Sequence, residues 1–506
     1  MTNLILFFLL LLTITHSIAN THATFPLCNL PTFGSHTFPP SPSSCKILSQ
    51  IVVTTKLIVN GATSTALGAT TISGGDNTPL FLLRGANLTL VDIILEHGKN
   101  TQDGGAIIIE GGDNNQNSHA FLLRTKIKSC VSLKNGGAVF IRSSVGKGKA
   151  ELVLMNSILE SNQATHNGGA IYASGTNAGV TIKSIASTYQ HNVATLGDGG
   201  AIYVVDTIGS GGSFSSNQDT FLRNNATIGS GGAIAAFGTK VTLQASNCSE
   251  NNAVLGGGGC ILFDSLAVSI DENSWTALAP ALINGSIVKN NHAGYSHNIG
   301  TPPVSIQVDV MLSTGTLSKM VITTAQNGLE PVYPVVSAKV IDLYGNHVVG
   351  ANAEHIKIHV DIPAENIQGI DTDVFVSGSF VESIKRKHFE EGNRFTAKFS
   401  MLKVGGSPNS GPHTFRFQAS YSPLDLRMER KLFLQSDHVD IPVMIKSCVG
   451  QWYGAKNCAI CPVNSLRVSS APPVENACHC NENYYGSLQV SKTLTIIIVL
   501  YLYYIF

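Results

Sequence analysis

The sequence predicts an all-β protein: a right-handed parallel β-helix, wound as a single-stranded solenoid, followed by a β-sandwich and a small cysteine-rich module. Three observations predict it. Gly-Gly doublets open at Gly104, Gly136, Gly168, Gly199, Gly231 and Gly258, separated by 32, 32, 31, 32 and 27 residues. Each doublet precedes a small residue and then an aliphatic one, from Ala106-Ile107 to Cys260-Ile261. A second signal, apolar-x-x-Asn, stands before four of the doublets: Leu159 to Asn162, Tyr189 to Asn192, Phe221 to Asn224 and Cys248 to Asn251. Ile287 to Asn290 repeats it without a following doublet, and in earlier coils His97 and Cys130 take the Asn slot after Ile94 and Ile127.

Each slot has a mechanical reason. The doublets (with second members Gly105, Gly137, Gly169, Gly200, Gly232 and Gly259) permit a sharp turn with positive φ. The β-branched residue that usually follows suits a strand entering a core. Asparagine tolerates a left-handed bend, and amides stacked once per coil can bond to the coils above and below. A unit of about 32 residues with strand signals and no helical period cannot bury its apolar face alone, so neighbours must stack.

The paired motif resembles the GGAI and FxxN repeats of chlamydial polymorphic outer-membrane proteins and their relatives among protist surface proteins. Phe221-Leu222-Arg223-Asn224 followed by Gly231-Gly232-Ala233-Ile234 carries the likeness best. Residues 71 to 97 resemble the entry coils of such solenoids. The resemblance covers roughly residues 50 to 300 and implies the fold and, through adhesins of that type, a role in adhesion. No run of alternating barrel strands is visible, so the autotransport of the chlamydial proteins is not carried over.

The remaining segments follow in order. Residues 1–19 read as a signal peptide, with the apolar run Leu4 to Ile14 and small residues before a cut after Ala19; a buried or anchoring helix is the other reading. Residues 20–49 form a Cys/Pro/Ser-rich cap and residues 50–300 the β-helix. Residues 304–446 alternate in strand fashion and include two passages, Lys339 to Asn346 and Gly411 to Phe417, that resemble immunoglobulin-like or filamin-like sandwiches. A distorted continuation of the solenoid is the alternative. Residues 448–487 look like a growth-factor or TNF-receptor type module. The apolar tail 493–506 is short for a bilayer span, and serves either as a membrane attachment, as a lipid-anchor signal, or as a stub from a misread exon.

Net charge is zero, with 32 basic and 32 acidic residues, so nucleic acid is not an expected partner. Secretion makes disulfides the default for Cys28 and Cys45, and for Cys448, Cys458, Cys461, Cys478 and Cys480. Four Asn-x-Ser/Thr sequons, at Asn87, Asn225, Asn247 and Asn284, are candidate glycosylation sites. Alternation should turn Asn225 and Asn247 outward. The slot before the doublets reads Asp103, Asn135, Asn167, Asp198, Ser230, and its two carboxylates stand three coils apart, too far for an acid/base pair. His355 and His359 are separated too far on a strand to share a metal. Gly74-Gly75-Asp76-Asn77 and Gly111-Gly112-Asp113-Asn114 have the look of calcium turns without the tandem period. No catalytic residue, cofactor or metal is expected. The expected protein is a non-enzymatic extracellular or cell-surface glycoprotein of adhesion or recognition, with an extracellular protein or carbohydrate as ligand. The rival is a secreted polysaccharide lyase or glycoside hydrolase built on the same solenoid.

Overall fold

In a computed structural model, residues 26–312 are described apart from 40–43, 63–69, 145, 177–178, 207–211 and 265–276; beyond them, strand segments and short turns between 315 and 480 are described. The signal and tail segments, with Cys448, Cys458 and Cys461, lie outside the described residues.

The first part is a parallel β-helix. Three nine-stranded parallel sheets and one of seven strands run its length. One representative coil contributes Ile107–Glu110, Ser118–Leu123, Lys126–Lys128 and Val131–Ser132, one strand to each sheet. We call these the doublet, long, ladder and short sheets. Nine strands make eight steps, a rod of about 38 Å at the strand spacing. Gly34–Thr37 and Ser44–Lys46 are already first strands of the long and ladder sheets, so the region read as a cap belongs to the solenoid.

Packing follows the repeat. Ile107, Val139, Ile171, Ile202, Ile234 and Ile261 pair in one inward column of the doublet sheet, all without exposure. Ile127, Leu159, Tyr189, Phe221, Cys248 and Val288 form the matching column of the ladder sheet. Tyr189 stacks on Phe221 with centroids 4.7 Å apart, and its buried hydroxyl donates to Ser184 at 2.8 Å.

The corners are single left-handed residues. His97, Ser129, Ser161, His191, Arg223, Glu250 and Asn290 turn the ladder sheet into the short sheet, each with φ between 51° and 58°. Asp92, Arg124, Asn156, Ala186, Gln218 and Ala245 do the same between the long and ladder sheets. Asparagine was expected to take the left-handed bend itself; the residue before it does so instead. The asparagine is thereby free to point inward.

The second part, residues 305–445, holds one two-stranded sheet, Phe375–Ser377 with Lys403–Gly405, and two five-stranded sheets. Ser305–Leu312, Val335–Ile341 and Phe395–Phe399 are antiparallel neighbours in one. Ile356–Asp361, Ser410–Tyr421 and His438–Ile445 are antiparallel neighbours in the other. Val336, Ala338, Val340 and Phe399 from the first share a core with Ile358, Phe415 and Phe417 from the second. The buried Asp342 fastens this part to the last coil: it accepts the Ser296 hydroxyl and the backbone N–H groups of Tyr344 and Asn346, at 3.0 and 2.8 Å. Two further two-stranded pieces follow, Trp452–Tyr453 with Ala459–Ile460 and Ser465–Arg467 with Cys478–Cys480. Among the described residues no helix is long and apolar enough to cross a membrane.

Candidate functional site: a charged cleft above three polar ladders

The doublets stand in a single column. The first glycine of each has φ between 66° and 74°. The second is needed for a different reason: a Cβ at Gly169 would overlap the carbonyl oxygen of Gly200, and one at Gly200 that of Gly232. The same collision recurs from Gly105 to Gly259, because the coils touch backbone to backbone there.

The asparagines form a continuous buried ladder. Asn192 Oδ1 accepts both the backbone N–H and the Nδ2 of Asn162, each at 3.0 Å. Its own Nδ2 donates to Leu159 O and to Asn224 Oδ1, both at 2.9 Å. Asn224 and Asn251 repeat the pattern, and the next rung is Asn291 rather than Asn290. Asn290 sits in the bend with φ 55°, and Val288, not Ile287, pairs with Cys248. The early coils carry the same one-residue offset: Leu95 pairs with Ile127, which puts His97 in the bend and Gly98 at the rung. Cys130 occupies a rung, its backbone N–H bonded to Asn162 Oδ1 at 3.0 Å. Burial pushes its thiol up to about 12, so it stays unreactive.

Two further ladders were not read from the sequence as such. Thr125, Ser157, Ser187, Asp219, Ser246 and Ser286 each follow a corner between the long and ladder sheets, and the backbone N–H of each of the first five donates to the next side-chain oxygen at 2.7 to 3.2 Å. Asp103, Asn135, Asn167, Asp198 and Ser230 make a third, with the opposite sense: from Asn135 on, each backbone N–H donates to the side chain of the preceding coil. Its carboxylates act as stacking acceptors. Burial raises the Asp198 carboxyl, opposed by the Ser230 N–H.

The exposed chemistry gathers elsewhere, at the corner between the doublet and long sheets. Here the connecting loops differ from coil to coil. A cavity of about 240 Å³ opens there, lined by Arg84, Glu110, Asp113, Arg142, Ser144 and Lys147 together with Gly111 and Gly112. Arg84, Glu110 and Arg142 are stacked directly on consecutive coils. Glu110 lies deep, its side chain 14% exposed, with Arg84 Nε bonded to one carboxylate oxygen at 2.7 Å and Arg142 Nη2 bonded to the other. The arginine side chains are 66% and 52% exposed. Lys147 pairs with Asp113 on the rim, and with Arg84 nearby it holds the Asp113 carboxyl below its ordinary value. Gly112 lets the chains close in behind the cavity, since a Cβ there would collide with the backbone of Gly85. Beside the cleft, Phe140, Tyr172 and Tyr203 stack along the same outer face at 5.3 and 5.2 Å. Arg142 lies over the Phe140 ring, 5.7 Å from its centroid.

The other predicted positions fall as follows. Cys28 bonds Cys45, tying the first segment to the first ladder-sheet strand. A second bridge, Cys248 to Cys260, crosses the core within one coil and was not expected. Cys478 and Cys480 lie in the strand paired with Ser465–Arg467. Asn87 and Asn284 are exposed; Asn225 and Asn247 are half-buried beside the buried Asn224 and Cys248. Asn225 Nδ2 donates to Thr227 Oγ1 of its own sequon at 3.1 Å. His359 bonds Ser420 at 2.6 Å, while His355 lies outside the described residues. The Asp113 turn noted for calcium carries the lysine pair instead. Among the described residues no group of three His, Cys, Asp or Glu is placed to hold a metal. No known protein family, curated protein or solved structure matches the chain.

Proposed function

We propose that this chain is a recognition protein of the cell exterior, a stiff rod that presents the cleft around Glu110 to a protein or carbohydrate ligand and works in adhesion rather than catalysis. The observation that carries this reading is the pairing inside the cleft. Both carboxylates there are engaged by cations, and the hydrogen bond and charge of Lys147 hold the Asp113 carboxyl below its ordinary value. A glycosidase acid needs the reverse, a carboxyl raised by burial or by a like charge. A binding site needs only fixed charge on a rigid scaffold, which stacked coils supply. The likeness of the paired repeat to chlamydial and protist surface proteins supports the same reading, as do the apolar N-terminus, the four sequons and the cysteine usage. On this proposal the chain enters the secretory route, carries glycans at Asn87, Asn225, Asn247 and Asn284, and stays secreted or attached to the outer surface through its apolar tail.

One observation favours the rival. Glu110 and Asp113 share a groove with Arg84, Arg142 and Lys147 drawn from adjacent coils, the kind of mixture a polysaccharide lyase uses. The decisive experiment incubates the full secreted chain with a panel of polysaccharides. It records retention on an immobilised array and release of reducing ends or unsaturated products in parallel. Retention without product supports recognition. Product that disappears in Glu110→Gln supports the lyase or hydrolase instead.

A further inference from the structure

Resting on that reading, we infer that the Glu110 cleft is a subsite for an anionic group, the carboxylate or sulfate of an acidic glycan. Three cations and two carboxylates line it, so the cleft carries one net positive charge. More telling is how the positive groups are held. Glu110 is the deep member and acts as a strut: one oxygen takes Arg84 Nε and the other takes Arg142 Nη2. Each guanidinium has five N–H donors in a planar fork, so most of them remain available toward the cavity. The arginines come from coils on either side of Glu110, two steps of the strand spacing apart, which is about 9.6 Å. The Glu110 carboxylate bridges the two forks, so an incoming carboxylate or sulfate would bind across the remaining N–H groups on the solvent side of that bridge. Lys147 closes the rim, Ser144 adds a hydroxyl, and Gly111 and Gly112 keep the floor free of side chains.

A glycan suits the cleft better than a free ion. The cavity opens beside the column of Phe140, Tyr172 and Tyr203, whose rings face one another and so turn their edges outward. Tyr172 and Tyr203 are half-buried. An extended acidic chain lying along the rod would meet phenol edges next to the charged subsite, and a polymer with an anionic residue at intervals would engage it repeatedly.

The test uses the full secreted chain and three defined probes: an oligogalacturonate bearing carboxylate alone, a sulfated dextran, and unsulfated dextran. The expected result is retention of at least one charged probe, weakened about tenfold or more in Arg84→Gln/Arg142→Gln by the loss of charge-assisted hydrogen bonds. Retention should also fall steeply between about 50 and about 500 mM salt. Lys147→Gln should weaken it less. Arg124→Gln removes an equally exposed guanidinium, one paired with Asp92 at a different corner, and should bind as the unaltered chain does. Circular dichroism of each variant separates lost binding from lost folding. Which charged probe is held decides between carboxylate and sulfate. Charged-probe binding untouched by the double variant, or weakened equally by Arg124→Gln, overturns the subsite. Retention of unsulfated dextran alone overturns it too but leaves recognition standing, whereas cleavage of a probe overturns recognition itself.

Discussion

Slide one strand of the solenoid by a single residue and a buried amide bond breaks at every coil it touches; slide a strand of the following sandwich and its inner and outer side chains exchange places. The solenoid holds register with groups that have few substitutes: asparagine rungs, hydroxyl rungs and a column of second glycines that meet carbonyl oxygens. The sandwich between 305 and 445 holds register with side-chain alternation and a shared apolar core. Polar ladders therefore specify one arrangement, while the apolar core accepts several residues of similar volume.

The comparison can be broken by conservative exchanges in each region. Asn192→Leu keeps the branched shape and heavy-atom count but leaves the N–H and one Nδ2 proton of Asn162 unpaired and takes a donor from the carbonyl of Leu159. At about 1–3 kcal/mol for each buried group left unpaired, the loss should be on the order of 4 kcal/mol in urea denaturation. A loss below about 1 kcal/mol would show that the ladder does not hold the coils. Gly169→Ala drives a methyl into the carbonyl of Gly200 and should cost about 2–3 kcal/mol on the same assay. In the sandwich, Phe417→Leu swaps one buried apolar side chain for another and should cost only about 1.5 kcal/mol. A cost equal to that of Asn192→Leu would erase the contrast.

The smallest effect is a pH dependence within a ladder. Asp219 stands where the other rungs carry hydroxyls, and burial raises its carboxyl to about 6, against the N–H of Ser187 and the hydroxyls of Ser216 and Ser184. The folded state therefore holds its proton more tightly than the unfolded chain, whose ordinary value is 3.8. Its contribution is full below about 4 and is lost as pH rises toward about 6. Thermal melts of the unaltered chain should fall across that window relative to Asp219→Ser. Parallel curves for the two would remove Asp219 as the cause.

What could be read from the sequence divides along the same line. The doublets and Asn162, Asn192, Asn224 and Asn251 were legible because one residue type fills one slot coil after coil. The reading slipped by one at Asn290 because two adjacent asparagines offered themselves, and only burial separates the bend from the rung. It slipped likewise at His97, where glycine takes the rung. The hydroxyl ladder escaped notice because threonine, serine and aspartate share the slot. The cleft was harder. Arg84, Glu110 and Arg142 recur at 26 and 32 residues, the interval of the coils, yet alternating charge at that period looks like ordinary surface until the coils are stacked. The Cys248–Cys260 bridge hid because each cysteine already had a role in the repeat, as the apolar slot and as the small one.

Everything rests on the coils lying directly over one another, and a distance across several of them tests it most directly. His119 and Lys240 occupy the same outward position of the long sheet, four coils apart, through the pairs with Glu151, Thr181 and Ser213. Spin labels at His119→Cys and Lys240→Cys should give a narrow distribution in pulsed dipolar spectroscopy centred near about 19 Å, four strand spacings. A centre beyond about 30 Å, or a distribution without a peak, would contradict the stack and with it the placement of the cleft.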